Sequence, residues 1–324
     1  MNPLRQHACS YPSCPNADFR SPWERDEQVD VMVPGSPPHH CTRLHVPRQP
    51  TDFQYSTEPA NYREPSPHHD LVLLTSPRST DTLNKTLASL HLAGLPEWEG
   101  SKILVCDGPL SFDSPILLDW RVSSSCEQTG SARSFVRALR LALSLDPDLD
   151  QLTFIEDDVE MSQGTLSYIA RLLVPEDAAF VTWFTYDYDY SSPPHPLPAV
   201  HPATLGRPVL ARRSSRYFIL TQCCTFPRRT VERILDCPLA SANWPKRNAH
   251  DELISWALGD APYAAHFPVL VQHTGGLNSA VSLDQARSAS IDPELLSYPD
   301  DPQAGARDCP YYAGSHFNAM SLIP

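Results

Sequence analysis

At 324 residues, with 41% hydrophobic and 9% aromatic side chains, the chain can bury the core of one large or two ordinary domains. A formal net charge of −13, from 38 acidic against 25 basic residues, excludes the basic footprint of a general nucleic-acid binder. No apolar run approaches the roughly 20 residues that span a bilayer, and Met1 to Cys14 lack the apolar stretch of a signal peptide, so the expectation is a cytoplasmic protein with no membrane span.

Residues 1–67 read as an extended Pro-rich arm, because pieces such as Pro34-Gly35-Ser36-Pro37-Pro38 and Glu64-Pro65-Ser66-Pro67 break any long periodicity. Cys9, Cys14, His39, His40, Cys41 and His45 lie here, but their spacing matches no standard zinc finger and no zinc site is assigned. Nine cysteines, an odd number spread along the chain, fit reduced thiols better than a disulfide framework.

At Asp70 the texture changes. Leu71 to Thr75 is a buried-strand signal, and Thr80 or Asp81 then caps a helix with apolar positions Leu83, Leu87, Leu90 and Leu92, ended by Pro96. A second strand, Lys102 to Cys106, stops at Asp107-Gly108-Pro109, and a second helix covers Gly130 to Leu145. The third strand, from Leu152, runs through Phe154 and Ile155 into Glu156-Asp157-Asp158, with a short amphipathic run at Leu166 to Leu173 beyond it. Strand–helix alternation of this kind predicts an α/β domain with a Rossmann-like, mainly parallel sheet, its ligands held outside the carboxyl ends of the strands.

Three adjacent carboxylates repel one another, and a hard divalent cation is one way to offset that. The strand-end loops also bring Arg78, Asp107 and the start of the second helix with Arg133 to the same edge. This set suits a nucleotide diphosphate: Asp107 would accept from a base N–H or ribose hydroxyl, Arg78 or Arg133 would pair with phosphate, and a metal would bridge the two phosphates.

The stretch from about Asp70 to His273 resembles a nucleotide-sugar-dependent glycosyltransferase of the GT-A fold. The pieces that carry the resemblance are Leu71 to Arg78 (including Thr75), the Val105 to Pro109 turn (including Gly108), Gly130 to Arg133, and Phe154 to Val159. The last is similar to the Glu-Asp-Asp form of the Asp-x-Asp motif in Golgi N-acetylglucosaminyltransferases. The resemblance implies that Asp158 holds Mn²⁺ (or Mg²⁺), and that Glu156 and Asp157 contact ribose, phosphate or metal-bound water. It also implies a hexosyl- or N-acetylhexosaminyltransferase with a UDP-sugar as the favoured donor.

Further along, Ala178 to Tyr186 reads as a strand entering the tract Asp187 to Tyr190, and Ser191 to Pro208 as a long loop; its neighbours Tyr186, Tyr188 and Tyr190 suit sugar faces, and alternation in a strand edge accounts for them equally well. Tyr217 to Phe226 is another strand, followed by a helix with Pro227 at its first position, and Trp244 lies in a loop as a candidate sugar platform. His250-Asp251-Glu252 opens a helix. In inverting members of the resembled family an acid at this point takes the acceptor proton, and Asp251 is favoured over Glu252. Phe267 to His273 reads as an apolar strand ending in the imidazole that, by the same resemblance, is the second metal ligand, with Asn278 and Ser279 beyond it. The expected division is an arm (1–67), a GT-A domain (68–281) and a tail (282–324) packing on it. The rivals are a sugar nucleotidyltransferase, which would carry a Gly-rich basic loop after the first strand that Ser76 to Thr80 lacks, and a non-catalytic calcium- or carbohydrate-binding module.

Overall fold

The apolar run from Leu71 to Leu74 becomes an interior strand of a sheet. In a computed structural model, described for residues 29–31, 42–44, 54–56, 61–77, 80–110, 115–184, 208–215, 218, 221–241, 250–274 and 313–323, strand His69–Thr75 is buried at every position. The strands in chain order are β1 (Val29–Val31), β2 (Thr42–Leu44), β3 (Gln54–Ser56), β4 (His69–Thr75), β5 (Lys102–Cys106), β6 (Arg121–Ser124) and β7 (Gln151–Glu156). They continue as β8 (Val159–Met161), β9 (Val181–Thr182), β10 (Val209–Ser214), β11 (Cys223–Pro227), β12 (Pro262–Phe267) and β13 (Val271–His273). The helices are α1 (Thr80–Leu92), α2 (Ser131–Leu145), α3 (Thr165–Ile169), α4 (Arg228–Asp236) and α5 (His250–Leu258).

Nine strands form one mixed sheet in the order β3-β10-β12-β9-β11-β7-β4-β5-β6. Its first half is the predicted strand–helix alternation, with β6, β5, β4 and β7 parallel. Only β10 and β11 run against the other seven. Parallel strands covered on both faces must be apolar throughout, which is why β4, β5 and β7 read as continuous hydrophobic runs. Among the buried polar residues at the ends and middle of these strands, Thr153 in β7 lies 2.9 Å from His69 Nε2 in β4 and 2.8 Å from Thr225 Oγ1, so its hydroxyl is satisfied inside the core.

The helices follow their stripes with instructive departures. Leu83, Leu87 and Leu90 of α1 are buried, whereas Leu92 is 64% exposed. Two residues beyond Leu90 is about 200° around a helix, so Leu92 lies off the stripe to which it was assigned. Pro227 closes β11 and α4 starts one residue later, an ordinary boundary shift. The run from Leu166 makes only the short α3, after which Leu172 bridges to Tyr62.

Two long expected strands are shorter than read. Among the described residues, only Val181–Thr182 of Ala178 to Tyr186 join the ladder, and of Tyr217 to Phe226 only the end, from Cys223, does so. The Phe267 to His273 run is two elements: Pro268, which cannot donate to a ladder, separates β12 from β13. β13 then leaves the large sheet and pairs with β8. Part of the expected arm joins the domain, since β3 pairs with β10 and Tyr62 Oη lies 3.0 Å from Tyr168 Oη. Residues 313–323 also pack on it, burying Ala319 and Leu322. No described helix is long and apolar enough to cross a membrane.

At the end of the sheet away from the acidic turn, Gly100 lies against the chain. A Cβ there would sit 2.0 Å from the carbonyl oxygen of His69, which is backbone and cannot move aside cheaply. Gly100→Ala is expected to lower stability by about 3 kcal/mol, read by denaturant unfolding. An unchanged midpoint would contradict this packing.

Candidate active site at the carboxyl edge of the sheet

The acidic turn lies between two strands of different sheets. β7 ends at Glu156, Asp157 and Asp158 form the turn, and β8 begins at Val159. Each of the three acids meets a different set of partners. Because the chain bends at Asp157 and Asp158 between the two strands, the separate partners divide what would otherwise be one patch of repelling charge.

Asp157 faces inward and is 2% exposed; Thr75, at the end of β4, donates to its Oδ2 at 2.5 Å. Thr86, buried in α1, holds the same turn by its backbone. Its hydroxyl lies 2.7 Å from the Asp157 carbonyl oxygen and accepts from the Val159 N–H at 3.2 Å. Thr75 and Asp157 therefore brace each other, and Thr86 is a residue that sequence reasoning missed. A threonine amid the apolar stripe of α1 was the available signal.

Asp158 meets His273. The β8–β13 pairing sets His273 opposite Val159, and the Thr274 N–H donates to the Asp158 carbonyl oxygen at 2.7 Å. This leaves His273 Nε2 3.3 Å from Asp158 Oδ2, with the carboxylate side chain 3% and the imidazole 15% exposed. Two donors at right angles around a divalent ion ~2.1 Å away lie about 3 Å apart, so the separation fits a shared cation. Among the described residues no group of three or more His, Cys, Asp or Glu side chains could hold a metal, so protein donors beyond this pair are not found there. Carboxylate plus imidazole is a donor set that suits Mn²⁺.

The Asp107 turn has a role that the sequence reading did not foresee. Asp107 Oδ1 accepts from the Thr129 N–H (2.7 Å), the Thr129 hydroxyl (2.9 Å) and the Ser134 hydroxyl (3.0 Å), while Oδ2 accepts from the Gly130 N–H (2.9 Å). Four internal donors on a buried carboxylate make Asp107 the anchor of the α2 N-terminus, with three of the bonds on Oδ1 and one on Oδ2. Anionic charge at a helix start is also favoured by the helix dipole. Gly108 has φ +131, and a Cβ there would lie 2.6 Å from Pro77 Cγ, so this glycine lets the β4 and β5 loops approach. Arg137 donates to the Cys106 carbonyl at 2.7 Å, whereas Arg133, half-buried in the first turn of α2, has no hydrogen-bond or ion-pair partner among the described residues.

Glu156 turns toward α5. Its Oε1 accepts from the Thr221 hydroxyl at 2.7 Å and lies 3.1 Å from His250 Nε2. Next to His250, burial pushes the Asp251 carboxyl up to about 6, with His250 opposing the shift and Glu156 adding to it. Burial, then repulsion from Asp251, pushes Glu252 up to about 8. Both keep partial exposure, which softens the penalty without changing its sign. The structure thus gathers Thr75, Glu156, Asp157, Asp158, His273, Asp251 and Glu252 around one turn and the helix start facing it. Arg78, Trp244, Asn278, Ser279, the tyrosines 186, 188 and 190, and the six Cys and His residues of the arm lie outside the described residues.

No protein-family model matches the chain, and no curated protein is similar to it. Among solved structures, it is similar to the mannosyltransferase PcManGT from Pyrobaculum calidifontis in complex with GDP-Man and Mn²⁺, at 12% identity and a TM-score of 0.37, over 64% of this chain and 54% of that one. It is also similar to S. aureus TarS 1–349 in complex with UDP-GlcNAc (14% identity, TM-score 0.38, 61% and 55% covered). A third is GalNAc-T7 with UDP, GalNAc and Mn²⁺ (12% identity, TM-score 0.42, 63% and 42% covered). The chain spans about half the length of these proteins. At such scores the likeness does not bear on chemistry.

The raised carboxyls of α5 carry a sign. The folded chain holds protons on Asp251 and Glu252 where the unfolded chain has lost them. Their stabilising contribution is therefore present in acid and is lost as pH rises, through about 6 for Asp251 and about 8 for Glu252. Glu252→Gln removes one of these titrations, so its melting temperature should gain on the wild type between pH 5 and pH 8. Parallel profiles across that range would contradict the assignment.

Proposed function

We propose that the chain is a metal-dependent glycosyltransferase that moves a sugar from a nucleotide diphosphate sugar, with a UDP-sugar favoured, to an acceptor hydroxyl by a single inverting displacement. The observation that carries this reading is the meeting of Asp158 and His273 at 3.3 Å beside the acidic turn, at the carboxyl edge of a parallel sheet.

In this reading Asp158 and His273 hold a divalent cation, and when bound it supplies positive charge to the departing diphosphate. Asp157, fixed by Thr75, keeps the turn rigid so that Asp158 is presented in one orientation. Arg133 offers its guanidinium to a phosphate, for which its position in the first turn of α2 and its lack of a partner among the described residues suit it. Asp107 acts at one remove, by holding the Thr129–Gly130 backbone from which α2 starts.

Asp251 is the general base. With its carboxyl raised to about 6 it is ionised at neutral pH yet basic enough to take a hydroxyl proton as the acceptor attacks. Glu252, raised to about 8, holds its own proton at that pH and supports its neighbour. The acceptor oxygen bonds to the anomeric carbon as the bond to the diphosphate breaks, and the proton goes to Asp251.

Asp158→Ala should lose Mn²⁺-dependent UDP binding by at least about 100-fold in calorimetry, while unfolding remains cooperative. Wild-type affinity in that variant would remove the turn from the site. Asp251→Asn should lower kcat by roughly 100-fold or more with donor affinity unchanged. A kcat near that of the wild type would rule Asp251 out as the base.

A further inference from the structure

Both internal contacts of Glu156 converge on one of its oxygens. Thr221 donates to Oε1 at 2.7 Å and His250 Nε2 lies 3.1 Å from the same atom. Oε2 has no partner among the described residues, and the Glu156 side chain stays 20% exposed. Oε1 is therefore the oxygen that the described residues hold.

His250 is packed as an aromatic residue would be. It is 5% exposed, stacked on Phe135 with ring centroids 5.2 Å apart at 29°, and edge-on to Phe154 at 5.1 Å. Held between two phenyl rings, the imidazole has little freedom, so Nε2 is a fixed point beside the carboxylate. Neither ring nitrogen makes an aligned hydrogen bond among the described residues, and burying such atoms carries a desolvation cost that a phenyl ring would avoid. The compensating contact is the approach of Nε2 to Glu156 Oε1.

We propose that His250 is a positioning residue: with Thr221 it fixes Glu156 Oε1, so that Oε2 accepts a hydroxyl of the sugar being transferred or of the acceptor. This rests on the glycosyltransferase reading and adds to it a sugar-recognition element built from β7, the segment before β11, and the start of α5.

The test compares His250→Phe, which keeps the ring packing and loses the N–H, with His250→Gln, which returns an amide N–H near the place of Nε2. Binding of UDP, UDP-glucose and UDP-N-acetylglucosamine to the full chain is measured by calorimetry with Mn²⁺, and initial rates are measured against acceptor. If the hydroxyl belongs to the donor sugar, His250→Phe binds the nucleotide sugars about tenfold more weakly while UDP binding holds and the melting temperature does not fall. If it belongs to the acceptor, the loss of similar size appears in acceptor KM instead. His250→Gln restores most of either loss. Equal weakening of UDP and UDP-sugar, no change in either substrate, or failure of the glutamine variant to restore the loss overturns the proposal. A wild-type chain that binds neither UDP nor a UDP-sugar with Mn²⁺ overturns it together with the glycosyltransferase reading, and so is distinguishable from failure of the His250 step alone.

Discussion

The site depends on one small pairing: three residues of β13 against three of β8. Without it, the turn after β7 would be an acidic loop at a sheet edge, and the imidazole of His273 would have no reason to approach it. The antiparallel register places His273 across from Val159, and the backbone bond from Thr274 to the Asp158 carbonyl ties the same two segments together. The position of the pair is therefore set mostly by backbone geometry, which side-chain rotamers alone could not hold to within a few tenths of an ångström. β13 is available for this because Pro268 ends the preceding strand and releases the chain from the large sheet.

A second constraint is how three consecutive acids coexist. Glu156 is met by Thr221 and His250, Asp157 by Thr75, and Asp158 by His273. Each partner belongs to a different element, so the turn is fastened to the sheet, to α5 and to the β8–β13 ribbon at once. Thr86 fastens its backbone to α1 as well. A turn held from four sides has few ways to move, which is the rigidity that the proposed displacement of a diphosphate would ask of it. The same logic applies around Asp107, whose four hydrogen bonds fix the N-terminus of α2 and with it the place from which Arg133 projects.

Much of this was legible from residue pattern. The β4, β5 and β7 runs are apolar because both faces are covered, and that signal is strong in any buried parallel strand. The acids, the histidine and the helix start at His250 were visible as residue types falling at element ends. What could not be read was pairing across long separations: that Asp107 would accept from Thr129, Gly130 and Ser134, or that Glu156 would share an oxygen between Thr221 and His250. Neither threonine carries a periodic or compositional mark, because a hydroxyl meeting a carboxylate leaves no local pattern. The single strand read from Phe267 to His273 has the same origin, since apolar runs report burial but not where a ladder ends. Leu92 shows the converse, an apolar residue placed by composition when helical phase puts it outside.

The most direct measurement is electron spin-echo spectroscopy of Mn²⁺ bound to the full chain with UDP. The account predicts nitrogen modulation from one directly bound imidazole, lost in His273→Gln while the manganese remains associated through Asp158 and the diphosphate. Tightly bound Mn²⁺ with no nitrogen coupling in the wild type would contradict the claim that Asp158 and His273 grip a common ion.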